Sequence, residues 1–161
     1  MKKLAKINLK ELSKFLVEAK RNTYAGGRKA KRLADGSKEL IFKKGNLKYK
    51  DRYFGSNPFI GEEIVWYNGK AIWGMNYYGK IIHTNTLPQK EIYNFLRKAL
   101  RNVKESAPFR GPLLFKEGDL EYINKFEGTI IDFKGEEGIF RVPKSKIYTL
   151  QYEGGFIEKQ I

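Results

Sequence analysis

LIFKKGNLKYKDRYFG, Leu40 to Gly55, is the stretch on which the reading of the fold turns. Two segments of alternating apolar residues flank Lys44-Gly45-Asn46, the chemistry of a β-hairpin. The stretch aligns without gaps on LLFKEGDLEYINKFEG, Leu113 to Gly128. Leu40, Phe42, Lys43, Gly45, Leu47, Tyr49 and Gly55 have identical partners there. Upstream, ELSKFLVEAKRN (Glu11 to Asn22) matches EIYNFLRKALRN (Glu91 to Asn102). Downstream, WGMNYYGKII (Trp73 to Ile82) matches YTLQYEGGFI (Tyr148 to Ile157). Three matched blocks in one order predict an internal duplication, with units near residues 8–82 and 88–157 inside a single domain, 1–161.

Each unit reads as a helix and then four strands. Leu12, Phe15, Leu16 and Ala19 fall at i, i+3, i+4 and i+7, as do Ile92, Phe95, Leu96 and Ala99, so each helix carries one apolar stripe. Asn8 with Glu11, and Thr86 with Gln89, have the spacing of capping boxes. Asn68-Gly69 is a strong hairpin signal, and Pro143-Lys144-Ser145 occupies the matching turn. The expected class is α+β: an αββββ unit used twice about a pseudo-twofold axis, with the helices laid on sheet. The two sheets either join edge to edge or stack.

Composition narrows the chemistry. The 161 residues include no cysteine, which excludes disulfides, zinc-thiolate sites and thiol nucleophiles. One histidine, His83, cannot build a multi-histidine metal site. No P-loop, dinucleotide fingerprint or nucleophile elbow is present, and no cofactor is expected. No apolar run reaches the roughly 18 residues of a membrane span, and the charged start MKKLAKINLKEL lacks a signal-peptide core, so a cytoplasmic protein without membrane partners is expected. Of the net charge of +14, residues 1–50 contribute +12 (16 basic, 4 acidic) and residues 101–161 contribute none. Such a one-sided field suits an anionic partner.

Candidate sites follow from strand alternation. A two-residue turn at Asn68-Gly69 places Ile64, Trp66, Ala71, Trp73, Met75 and Tyr77 on one face. Glu63, Val65, Tyr67, Ile72, Gly74, Asn76 and Tyr78 then share the other. Trp73, Met75 and Tyr77 match Tyr148, Leu150 and Tyr152, which marks their face as core. On the other face Gly74 leaves a gap flanked by Glu63, Asn76, Tyr67 and Tyr78; a strand glycine marks either close approach of a ligand or simple packing. Asp51 shares a stripe with Leu47, Tyr49 and Tyr53, where a carboxylate must find partners or shift its pKa. These six residues, Glu63, Gly74, Asn76, Tyr78, Tyr67 and Asp51, form the candidate ligand site. Asp51 and Glu63 are the candidate acid–base pair, with His83 a further group of the type that titrates near neutrality.

The first unit also carries 7 extra residues between helix and sheet, in a basic insertion loop over 22–40. Arg28, Lys29, Lys31 and Arg32 lie in it, and with Arg110 they are the candidate contacts to an anion or nucleic acid. Gly26-Gly27 reads either as the end of the helix or as an anion-binding nest.

The phrases NTYAGG, YKDRYFG, FIGEEIVWYNGKAIWGMNYYG and APFRGP resemble a family of bacterial and archaeal domains that occur alone or behind Xre-type helix-turn-helix DNA-binding domains. The resemblance runs from about Leu12 to Gly155. It implies a sensing or interaction role near transcriptional control and brings no catalytic residues with it. The leading expectation is therefore a non-enzymatic, sensor-like module for a small molecule or protein. Two alternatives stand beside it: a nucleic-acid-binding protein using the basic N-terminal third, and a small hydrolase-type enzyme using Asp51 and Glu63.

Overall fold

The computed structural model describes residues 6–82, 87–143 and 145–158. Its elements run α1 (Leu9–Arg21), β1 (Lys31–Arg32), β2 (Lys38–Lys44), β3 (Leu47–Gly55), β4 (Phe59–Tyr67), β5 (Lys70–Ile81), α2 (Gln89–Leu100), β6 (Leu114–Glu117), β7 (Leu120–Thr129), β8 (Asp132–Arg141) and β9 (Ser145–Phe156). All nine strands form one antiparallel sheet in the order β1-β2-β3-β4-β5-β9-β8-β7-β6.

This corrects the expected class. The molecule is one large antiparallel sheet carrying two short helices, of 13 and 12 residues, and not an α+β pair of duplicated αββββ units. Five strands, not four, follow α1, because the basic loop itself adds β1 at the sheet edge. The physical reason for a single sheet lies in β5 and β9. Each is 12 residues long, and each would leave a full row of unpaired backbone groups at the end of a four-stranded meander. They pair with each other instead, from Trp73↔Phe156 to Ile81↔Tyr148.

Both helices lie on one face, α1 over β2 and β3 and α2 over β6 and β7. Their apolar stripes are buried as the spacing predicts, with Leu12, Leu16, Ile92 and Leu96 fully enclosed. Asn8 caps α1, its side chain accepting from the Lys10 N–H at 2.8 Å. The helix ends at Arg21 with Asn22 as its cap, so Gly26-Gly27 do not terminate it and instead lie in the turn beyond. Thr86, expected to cap α2, falls outside the described residues, as do His83 and Lys144. The helix C-termini are tied over the middle of the sheet: Arg21 donates to the Arg101 and Val103 carbonyls, and Arg101 donates to that of Ala25. Beneath them Phe109 stacks on Phe133 at 4.0 Å.

One irregularity governs what the helices cover. The β4–β5 register shifts between Val65 and Trp66, so that Val65 opposes Trp73, and Ile72 becomes the extra residue of a β-bulge. Ile72 and Trp73 both turn into the core. Beyond the bulge the pairing becomes Ile64↔Gly74, Glu63↔Met75 and Glu62↔Asn76. A matching shift between Ile139 and Phe140 buries Ile147 beside Tyr148.

Candidate functional site

The bulge splits the expected ligand site. Trp73, Met75 and Tyr77 are in the core, but Glu63 joins them there and is only 2% exposed. Asp51 and Glu63 are direct cross-strand partners on the helix-covered face. Tyr67 is half-buried on the same face, at its rim. Asn76 and Tyr78 lie exposed on the opposite, uncovered face. Gly74 leaves no open gap: a Cβ there would meet Ile64 Cδ1 at 3.0 Å and Ile157 Cδ1 at 3.4 Å, so neighbouring aliphatic groups fill the space. The structure therefore brings Asp51 and Glu63 together and separates them from Gly74, Asn76 and Tyr78.

The buried pair belongs to a larger ionic cluster between helices and sheet. Lys20, from the last turn of α1, donates to Glu63 Oε1 at 2.6 Å and to the Phe109 carbonyl at 2.7 Å. Tyr49 donates a further short hydrogen bond to the same Glu63 oxygen. Across the sheet, Arg110 grips Glu137 through two bonds, Nε to Oε2 at 3.1 Å and Nη2 to Oε1 at 2.5 Å. Tyr122 and Tyr148 also donate to Glu137, at 2.6 and 2.9 Å. Arg110, expected as an anion contact, is thus engaged by the buried Glu137. Taking these charges out of water is unfavourable, and the hydrogen bonds to each carboxylate offset that penalty. Burial drives the Lys20 ammonium below its ordinary value against the pull of Glu63.

Asp51 is the carboxylate of this cluster without its own cation. Tyr77 donates to its Oδ1 at 2.5 Å. Its Oδ2 has no hydrogen-bond partner among the described residues. Burial, and then the charge of Glu63, raise its pKa to about 7. The position matched to it in sequence, Asn124, is satisfied at both ends: it accepts from Tyr152 at 2.7 Å and donates to the Gly111 carbonyl at 3.1 Å.

No fully enclosed side-chain nitrogen or oxygen among the described residues lacks a partner. The spare Asp51 oxygen is therefore not sealed in, and Asp51 lines a cavity of about 160 Å³. Tyr24, Tyr53, Phe59, Tyr77 and Tyr93 supply aromatic wall, and Arg110 reaches it as well. Arg110 Nη1 and the hydroxyls of Tyr24 and Tyr53 also have no hydrogen-bond partner among the described residues. Burial pushes the Tyr24 hydroxyl up to about 12, so it stays a neutral donor. Arg97 stacks on Tyr24 at 4.9 Å, and Lys38 sits over Tyr53 at 5.5 Å; both line the same cavity. Room equal to about five waters' share of the liquid suits a fragment-sized molecule.

The sequence reading missed Lys20, Tyr24, Tyr77 and Glu137 as parts of this site. For Lys20 a signal was present: it follows Leu12 and Leu16 at four-residue steps and so continues the apolar stripe of α1. Of the basic loop, Arg28 donates to the Ile41 carbonyl at 2.6 Å, while Lys29, Lys31 and Arg32 are exposed. Among the described residues no acidic or histidine cluster could hold a metal ion, and no helix is long and apolar enough to cross a membrane.

No curated protein and no solved structure matches the chain. One family does, over residues 51–157, from Asp51 within β3 to the residue after β9. The matched segment holds Asp51, Glu63, Arg110 and Glu137, whereas Lys20 and Tyr24 precede it. On that match the chain belongs to DUF5680, a domain of unknown function.

Proposed function

We propose that the protein is a non-enzymatic binding module for a small, flat organic molecule, held in the cavity between α2 and the sheet. The observation that carries this reading is Asp51, which lines an aromatic-walled cavity and whose Oδ2 has no hydrogen-bond partner among the described residues. A ligand N–H or ammonium group would complete it, and an adjacent ligand acceptor would meet Arg110 Nη1. Aromatic walls bind flat groups with few rotamers to freeze. The resemblance to domains that accompany Xre-type regulators fits a sensor of this kind. The enzyme reading is weaker, because Lys20 and Tyr49 both bond Glu63 Oε1 and Glu63 does not line the aromatic-walled cavity.

The test is a fragment screen by thermal shift and amide NMR on the wild type and Asp51→Asn. Binders should perturb the amides of Tyr53, Phe59 and Tyr93, and donor-bearing binders should weaken markedly in Asp51→Asn. Binders that leave those amides unmoved, or that ignore the substitution, would sink the proposal.

A further inference from the structure

The uncovered face of the sheet is uneven in how its lysines are paired. On the β6–β9 half, lysines lie beside acids: Lys116 pairs with Glu121 at 3.4 Å, Lys134 with Glu127 at 2.9 Å and Lys146 with Glu136 at 2.7 Å. Opposite-charge cross-strand pairs are the ordinary way to stabilise a solvated sheet face. The β2–β5 half has such a pair in Lys50 and Glu39 at 3.8 Å, and Arg52 stands across from Glu62, but it departs from the pattern at the β2–β3 turn. Lys43 and Lys48 are direct cross-strand partners, a like-charge juxtaposition that destabilises a sheet. Neither has an acidic partner among the described residues, and nor does exposed Lys80. Next to Lys48 in the same row stands Trp66, half-buried, with the Lys48 and Lys50 ammonium groups 5.1 and 5.7 Å from its ring. Lys43, Lys48, Trp66, Asn46 and Gly69 line one open depression of about 370 Å³. Further along the face, Phe54 and Tyr78 are 42% and 49% exposed.

We infer that this half of the uncovered face binds single-stranded nucleic acid, with Trp66 as a stacking platform and Lys43 and Lys48 engaging the flanking phosphates. Repelling lysines beside an indole cost stability when empty and become favourable when a polyanion lies over them. Stacking from a flat sheet requires bases that are unpaired, which selects single strands over duplexes. The site is separate from the cavity, which lies on the helix-covered face.

Fluorescence anisotropy of labelled 20-mer single strands, DNA and RNA in separate arms, against a duplex of the same length tests this. The affinity for single strands should fall with salt with a slope of about −1.4 in log–log form, as the two phosphate contacts of Lys43 and Lys48 give. Lys43→Ala/Lys48→Ala should bring the slope close to zero. Trp66→Ala should weaken binding about 5- to 100-fold, in line with loss of one stacked base. Trp73 is fully buried, so quenching of tryptophan emission by the oligonucleotide should vanish in Trp66→Phe, a variant that keeps the ring and the fold. Three results would overturn the inference: no binding at 50 mM salt, equal affinity for a mononucleotide, or full binding by both face variants with loss in Arg28→Ala/Lys29→Ala/Lys31→Ala/Arg32→Ala. A difference between the DNA and RNA arms names the strand chemistry that the face prefers.

Discussion

Replacing Asp51 by Asn should stabilise the protein at alkaline pH and flatten its dependence on pH. Asp51 titrates near 7 in the fold against an ordinary value of 3.8, because burial and Glu63 disfavour its charged form. Between about pH 4 and 7 the native state therefore holds a proton that the unfolded chain has released. Stability falls as pH rises through that window, since the unfolded state binds fewer protons there. A shift of about 3 units corresponds to about 4 kcal/mol at pH 8. Asn cannot ionise, so the substitution removes this loss. It also keeps the shape, and Asn124 already accepts from a tyrosine hydroxyl in the way that Asp51 accepts from Tyr77. The assay is urea unfolding from pH 4 to 8, followed by emission of buried Trp73. Between those limits the wild type should lose about 4 kcal/mol more than Asp51→Asn, or about 8 to 16 °C in Tm for a chain of this size. Parallel pH profiles for the two proteins would refute the argument, as would a variant that is the less stable at pH 8.

Lys20→Met should cost about 3–5 kcal/mol in urea unfolding, because it strands the Glu63 charge in the core. Lys20→Met/Glu63→Gln should recover much of that, and a double-mutant cycle measures the coupling. Gly61→Ala should destabilise by about 1–3 kcal/mol, since its Cβ would stand 2.5 Å from the Tyr77 hydroxyl and 2.6 Å from the Arg52 carbonyl. Phe109→Ala should cost about 3–5 kcal/mol by emptying the stack on Phe133, read as a lower urea midpoint. Any cavity ligand at 100 times its Kd should add about 2.7 kcal/mol to the stability, seen as a thermal shift.

The helices, most strand positions and the core aromatics were legible in the sequence because they rest on periodicity. Leu12, Phe15 and Leu16 announce a helix whatever packs on them. Tyr49, Asp51 and Tyr53 alternate in β3 as a strand must. The joining of the meanders was not legible, since nothing in a strand's own residues states which edge it will meet. The position of Glu63 was legible only as far as Asn68-Gly69. Counting back from that turn in strict pairs puts Glu63 beside Gly74, on the side away from Met75. The single extra residue at Ile72 puts Trp73, Met75 and Tyr77 on the face of Val65 and Glu63 instead of that of Ile64 and Trp66. Ile72 is apolar and β-branched, an ordinary strand residue, so the residue type does not disclose a bulge. A hint lay in Ile72-Trp73, two adjacent large apolar residues where alternation predicts one.

The two halves of the sheet make the argument for a site in only one of them. Each half holds a buried glutamate bound by a cation and by tyrosine: Glu63 with Lys20 and Tyr49, Glu137 with Arg110 and with Tyr122 and Tyr148. Each glutamate stands across from a smaller polar residue, Asp51 or Asn124, and each of those accepts from a tyrosine on the central strands. If the smaller residue served folding alone, Asn would serve in both places, because it meets the hydrogen bond without the penalty of a buried charge. Asn124 does so and is closed by Gly111. Asp51 carries the penalty, keeps one oxygen unspent, and is the one that lines the aromatic-walled cavity. The energetically dearer residue stands where a ligand could use it, and that coincidence separates a binding site from a structural hydrogen bond.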